Sequence, residues 1–225
     1  MVQSNKISIQ KTAHYYSVGK PTMQIKNFWI ACHGYGQLAK NFIHKFESIE
    51  DGETFVVAPE GLSRFYWKGF SGDVGASWMT KEDRLDEIED YAKYLQTIYD
   101  YFLPQLNKNV KITLFGFSQG CATQCRWLLK NFPLFHHLVL WAGVLPEDLD
   151  YLPHQDYFKS KTLSFVVGEK DEFLTEERLE KYLDFVENQQ LHFDLIKFAG
   201  KHEVDRKVLQ KLADDLKRIK LIEKP

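Results

Sequence analysis

The chain has almost no net charge. Its 29 Lys and Arg oppose 31 Asp and Glu, for a formal net charge of −2. Without a basic stripe it lacks the electrostatic footprint of a nucleic-acid binder. Long apolar runs are missing too. No stretch approaches the ~20 residues that cross a bilayer, so no membrane span is expected. The opening MVQSNKISIQK holds no apolar core of the signal-peptide kind. Cysteine is scarce: Cys32, Cys121 and Cys125 are an odd number in apolar contexts. They argue against a disulfide framework and lead us to expect a cytoplasmic protein. Cys121 and Cys125 lie one helical turn apart, but no Cys or His at ligand spacing accompanies them, so they read as core. No His-Glu-x-x-His cluster occurs, and no metal is expected.

What is present is ordinary globular material, 44% hydrophobic and 27% charged. Apolar strand-like runs alternate with amphipathic helical patterns along the whole chain. Strands are expected at Lys6 to Tyr16 (an edge), Gln24 to Cys32, Thr54 to Ala58, Lys111 to Phe115, His137 to Trp141, Thr162 to Val167 and Leu191 to Phe198. Helices are expected at Leu38 to Ile49, after Thr80 as a cap and up to Pro104, after Gly120, after Thr175, and from Glu203 to Ile222. No linker or repeat interrupts them. The alternation implies a single α/β domain over residues 1–225, with a mostly parallel central sheet and helices on both faces. In such sheets active groups gather at the carboxyl ends of the strands.

The stretch KITLFGFSQGCATQCR, from Lys111 to Arg126, holds Gly-x-Ser-x-Gly between a strand and a helix. That context is a nucleophile elbow. Gly116 and Gly120 leave room for a turn so tight that Ser118 is strained and its hydroxyl exposed. The bland alternative is a glycine-rich turn between two core elements. A serine hydroxyl also needs a base, and the base an orienting carboxylate. With such an elbow the acid and then the histidine follow the serine in the chain. Asp171 lies in the GEKDEF loop after one strand, with Glu169 and Glu172 beside it and Asp148 and Asp150 after the preceding strand. His202 lies in AGKHEV after another strand. Of the eight histidines it alone is downstream of the serine, after a strand and before a helix. Its alternative role is a cap or salt-bridge partner of the last helix. HGYG, residues 33–36, ends an earlier strand at the same edge. The backbone N–H groups of Tyr35 and Gln119 would hold a developing oxyanion, each worth ~3–4 kcal/mol.

Between Pro59 and Thr80 the sequence PEGLSRFYWKGFSGDVGASWMT has no sustained period. It is too long for an ordinary connection and too aromatic for disorder. It reads as a packed loop over the sheet edge.

Taken together, HGYG, GFSQG, the loop aspartate, the late Gly-Lys-His and GASWM before the long helix resemble the serine α/β-hydrolases of the phospholipase/carboxylesterase family, relatives of acyl-protein thioesterases. The resemblance runs from about Trp29 to the final helix. It implies an α/β-hydrolase fold, a Ser118–His202–Asp171 triad, an oxyanion hole at Tyr35 and Gln119, no cofactor, and a small-molecule ester or thioester substrate. Two departures stand out. Cys121 replaces the last glycine of the family's GFSQGG, and PEGLSRFYWKGF replaces a Pro-Arg-type segment. Phe65, Tyr66, Trp67, Phe70 and Trp78 are expected to shape an acyl pocket or, alternatively, only to pack the loop. The rival class is a non-catalytic hydrolase-fold protein that binds a ligand or partner, and a peptidase is a third reading. Monomer and homodimer are both compatible with the sequence.

Overall fold

The computed structural model describes residues 2–219. In chain order the strands are β1 (Tyr15–Val18), β2 (Asn27–Cys32), β3 (Thr54–Pro59), β4 (Ser63–Tyr66), β5 (Val74–Ser77), β6 (Lys111–Phe117), β7 (His137–Trp141), β8 (Thr162–Gly168) and β9 (Asp194–Phe198). The helices are α1 (Ala39–Phe42), α2 (Arg84–Phe102), α3 (Gln119–Asn131), α4 (Gln155–Phe158), α5 (Glu176–Asn188) and α6 (Arg206–Arg218). Seven strands form one sheet in the order β1-β3-β2-β6-β7-β8-β9. Only β1 runs antiparallel to its neighbour; the other pairings are parallel.

The sequence explains the order. β2, β3 and β7 are buried at every position, and β6 and β8 at all but the first. Unbroken apolar runs are what a sheet covered on both faces demands. Alternate residues feed two cores. Phe28, Ile30, Leu114, Leu140 and Phe165 pack with Leu95 and Ile98 of α2, Cys125 and Leu128 of α3, and Leu179 and Val186 of α5. Trp29, Val56, Phe115, Val139 and Val166 pack with Phe42 and Phe46 on one side and Leu209, Leu212 and Leu216 of α6 on the other. The parallel strands all end at the same edge, so the loops after β2, β6, β7, β8 and β9 meet there.

Several elements differ from the sequence expectation. The edge strand begins only at Tyr15, because residues 2–14 have no strand neighbour to pair with. The segment read as a packed loop contains an antiparallel hairpin, β4 against β5, registered from Ser63↔Ser77 to Tyr66↔Val74. The first helix tightens into a 3₁₀ turn over Ile43–Ile49, and the connection between β7 and β8, where no helix is expected from the sequence, holds α4. Helix α2 starts at Arg84, not after Thr80; Asp83, with φ 46°, precedes it. Glu87 accepts the Thr80 N–H at 2.6 Å and the Ser63 hydroxyl at 3.1 Å, which holds Thr80 outside the first turn. Helix α6 starts at Arg206 behind Asp205, whose Oδ1 accepts the N–H groups of Lys207 and Val208, both at 2.9 Å. The expected extension of that helix to Ile222 lies outside the described residues. Among the described residues no helix is long and apolar enough to cross a membrane.

Candidate active site

Ser118 stands between β6 and α3 with φ 52° and ψ −117°, a conformation L-residues rarely adopt. The glycines around it explain how the chain holds that turn. A Cβ on Gly116 would lie 2.6 Å from Cys121 N, and one on Gly120 would lie 2.8 Å from His33 O. Both contacts are with backbone, so no side chain can move aside. The Ser118 N–H donates to Trp141 O at 2.9 Å. Helix α3 starts at the next residue, and its first N–H groups have no intrahelical acceptor. Gln119 N–H, the first of these, has no acceptor among the described residues. The Ser118 hydroxyl itself has no hydrogen-bond partner among the described residues.

Cys121 fills the space next to the elbow. Its thiol approaches Gly116 O at 3.1 Å and Trp141 O at 3.5 Å. Burial pushes its pKa well above the ordinary thiol value. The same cause raises Cys32 and takes Cys125 to about 12. All three are free and buried, so none offers a thiolate that would rival the serine.

The loop after β2 presses against this elbow. A Cβ on Gly34 would lie 3.2 Å from the Ser118 Cβ. Gly34 N–H is spent on Gln37 Oε1 at 2.9 Å, and Gly36 N–H on Ala76 O at 2.8 Å. Tyr35 N–H, between them, has no partner among the described residues. Three side chains fix the loop. Buried His33 accepts the Gly61 N–H on Nε2 at 2.9 Å, which leaves Nδ1 to donate to Gly34 O at 2.8 Å. Burial lowers the pKa of His33 to about 4 and keeps it neutral. Trp78 donates its indole N–H to His33 O at 2.8 Å. Gln119 takes the Trp78 N–H at 3.2 Å on its amide oxygen and donates to Met79 O at 2.9 Å.

The acid and the histidine come from the loops after β8 and β9. His202 Nδ1 lies 2.8 Å from Asp171 Oδ2. Asp171 Oδ1 accepts the N–H groups of Phe173 at 2.9 Å and Leu174 at 3.2 Å. Its side chain is fully buried, while that of His202 is 16% exposed. The competing acids stand elsewhere. Glu169 and Glu172 are exposed, Asp148 pairs with Arg126 and Arg84, and Asp150 accepts the Leu152 N–H. With the Nδ1 proton held by the carboxylate, His202 Nε2 keeps its lone pair. The imidazole centroid lies 5.0 Å from the ring of Phe117, the residue before the serine, and 4.6 Å from Phe173. The elbow, the imidazole, the carboxylate and the Tyr35 loop therefore occupy one rim of the sheet.

The aromatic residues of the 59–80 segment divide into two groups. Tyr35, Phe65 and Trp67 form a cluster, with Tyr35 5.2 Å from Phe65 and 5.9 Å from Trp67. Trp67 is half-exposed and crosses over Gly36, where a Cβ would strike its ring. Phe70 is 99% exposed in the turn of the hairpin, whereas Trp78 is 1% exposed. The indole of Trp78 lies beneath the loop it supports, not on a pocket wall. Phe173, half-exposed against His202, belongs to the rim although nothing in the sequence beyond its closeness to Asp171 marks it.

A parallel sheet carrying a strained serine at a strand-to-helix elbow, with a histidine–carboxylate pair on the same rim, defines an α/β-hydrolase. The chain belongs to the serine hydrolase (FSH1) family, whose model matches residues 23–211. Its fold is similar to that of acyl-protein thioesterase 2 from Zea mays, at 15% identity and a TM-score of 0.66, over 92% of this chain and 98% of that one. A phospholipase/carboxylesterase from Dyadobacter fermentans matches at 14% identity and 0.64, over 94% and 99%. The Bacillus cereus carboxylesterase matches at 14% and 0.63, over 92% and 94%. No curated protein sequence matches the chain.

Proposed function

We propose that this serine hydrolase cleaves small carboxylic esters or thioesters through Ser118, His202 and Asp171. The observation that carries the reading is the Asp171–His202 pair beside the elbow, with one imidazole nitrogen held and the other free. Ser118 Oγ attacks the acyl carbon as His202 Nε2 takes its proton. Asp171 keeps the proton on Nδ1 and stabilises the imidazolium. The carbonyl oxygen gains negative charge and is held by the N–H groups of Tyr35 and Gln119. His202 returns the proton to the leaving alcohol or thiol. Water, deprotonated by the same nitrogen, then attacks the acyl-enzyme and releases the acid. The missing hydrogen bond from Ser118 fits a resting site, since such bonds often tighten only with substrate bound.

The acyl group would lie along Tyr35, Phe65 and Trp67. Phe70 could reach a substrate only from the hairpin tip, and Trp78 would act through the loop it supports. A panel of p-nitrophenyl esters of rising chain length, run on wild type and Ser118→Ala, tests the reading. Ser118→Ala should lower turnover by about 10⁴-fold or more, and a fluorophosphonate should label wild type at Ser118. Ester turnover by Ser118→Ala near the wild-type rate would sink the assignment.

A further inference from the structure

We propose that Trp141 is a positioning residue that sets the distance between the serine and the histidine. This rests on the triad proposed above. Trp141 ends β7 and is fully buried. Its two polar ends serve two different segments. Its carbonyl accepts the Ser118 N–H at 2.9 Å. Its indole N–H donates to Glu203 O, next to His202, at 2.7 Å. One residue thus ties the backbone of the elbow, through its own carbonyl, to the backbone that carries the base, through its indole.

The tie matters because no other hydrogen bond among the described residues joins the two segments, which otherwise meet where the Phe117 ring lies 5.0 Å from the imidazole. Among the described residues the serine hydroxyl makes no hydrogen bond, so no direct one between Ser118 and His202 sets their spacing. Asp171 holds the imidazole at Nδ1 and orients it, but Asp171 belongs to the β8 loop and moves with it. The histidine turn has its own closures. Glu203 N–H reaches Lys201 O across His202 at 2.9 Å, and Lys170 N–H reaches Gly200 O at 2.9 Å. Both closures lie within the β8 and β9 loops, and neither reaches the elbow. The indole ring is wedged between Phe115, 5.8 Å away, and Phe198, 5.6 Å away, which keeps its N–H aimed at the turn. A displacement of ~1 Å between reacting groups can cost ~100-fold in rate.

The test is Trp141→Phe, which keeps an aromatic ring in the core and removes the donor. Leu216→Ala is the control: it loosens the same core from α6 and removes no hydrogen bond of the tie and neither of the rings that flank the indole. In Trp141→Phe, kcat for a p-nitrophenyl ester should fall about 10- to 100-fold with KM changed less than about twofold. The downfield proton resonance of the His202–Asp171 bond should broaden or vanish. Leu216→Ala should lower the melting temperature and keep both kcat and the resonance. A kcat for Trp141→Phe within twofold of wild type, or an equal kcat loss in Leu216→Ala, overturns the proposal. If Trp141→Phe does not fold, benzothienylalanine at position 141 replaces the N–H by sulfur in the same shape and is judged by the same criteria. Fluorophosphonate separates the two proposals. If wild type is not labelled at Ser118, the triad itself fails. If wild type is labelled and the donor-less variant is labelled equally fast, only the role of Trp141 fails.

Discussion

Glycine 120 shows how little freedom the elbow leaves. An added Cβ would overlap the carbonyl of Cys32 and crowd that of His33, and both are strand or loop backbone. Gly120→Ala is expected to cost about 3 kcal/mol or more, visible as a lowered urea midpoint or a loss of folded protein. Gly36 offers the contrast. There the obstacle is the half-exposed ring of Trp67, which can swing aside. Gly36→Ala adds only the strain of its positive φ, ~1–2 kcal/mol, and its main effect should be on KM for long-chain esters, through the displaced ring. The cysteines allow a simpler check. Burial raises all three thiols, so iodoacetamide at pH 8 should leave the native protein unmodified by intact mass and label three sites after denaturation.

At the level of elements, legibility followed periodicity. β2, β3, β6, β7 and β8 were readable because both faces are buried and only single small polar residues, Thr113 in β6 and Ser164 in β8, interrupt their apolar runs. α2, α3, α5 and α6 were readable from their apolar stripes. The β4–β5 hairpin was not: each strand has four residues, and Ser63–Tyr66 alternates around only a thin interior. Its existence depends on cross-strand pairing, which no local pattern records. The same limit applies to the site. Ser118, Asp171 and His202 were singled out by their order along the chain. Trp67 and Trp78 could not be told apart, since an aperiodic aromatic segment does not say which ring goes under the loop. The indole contact of Trp141 was invisible because the residue reads simply as the end of a core strand. The cap of α6 is worth a direct test. Asp205→Ala removes the acceptor for Lys207 N–H and Val208 N–H and should cost ~1 kcal/mol in urea unfolding.

For the molecule as a whole, three histidines make stability depend on pH. Burial lowers His33 to about 4, His136 to about 4 and His137 to about 3; nearby Lys111 and Lys161 add to the effect on the last two. All are neutral in the folded state, and in the unfolded chain they titrate near ~6.5. Between those values the unfolded chain binds more protons, so their contribution to stability falls as pH drops from about 6.5 toward 4, and for His137 on toward 3. Each group contributes a slope of up to ~1.4 kcal/mol per pH unit. The urea midpoint should therefore be lower at pH 5 than at pH 7.5. His137 has no partner for either ring nitrogen among the described residues. His137→Leu should flatten the pH dependence and add ~1 kcal/mol at neutral pH. The placement of β9 has a consequence for heating. It is one of the two edge strands of the sheet, bonded on one side only and open to solvent along most of its length, and the turn bearing His202 leaves from its end. A sheet frays from its margin inward. Warming should detach His202 while the inner strands and Ser118 still hold. Turnover should then stop several degrees before the bulk of the chain melts, and return promptly on cooling.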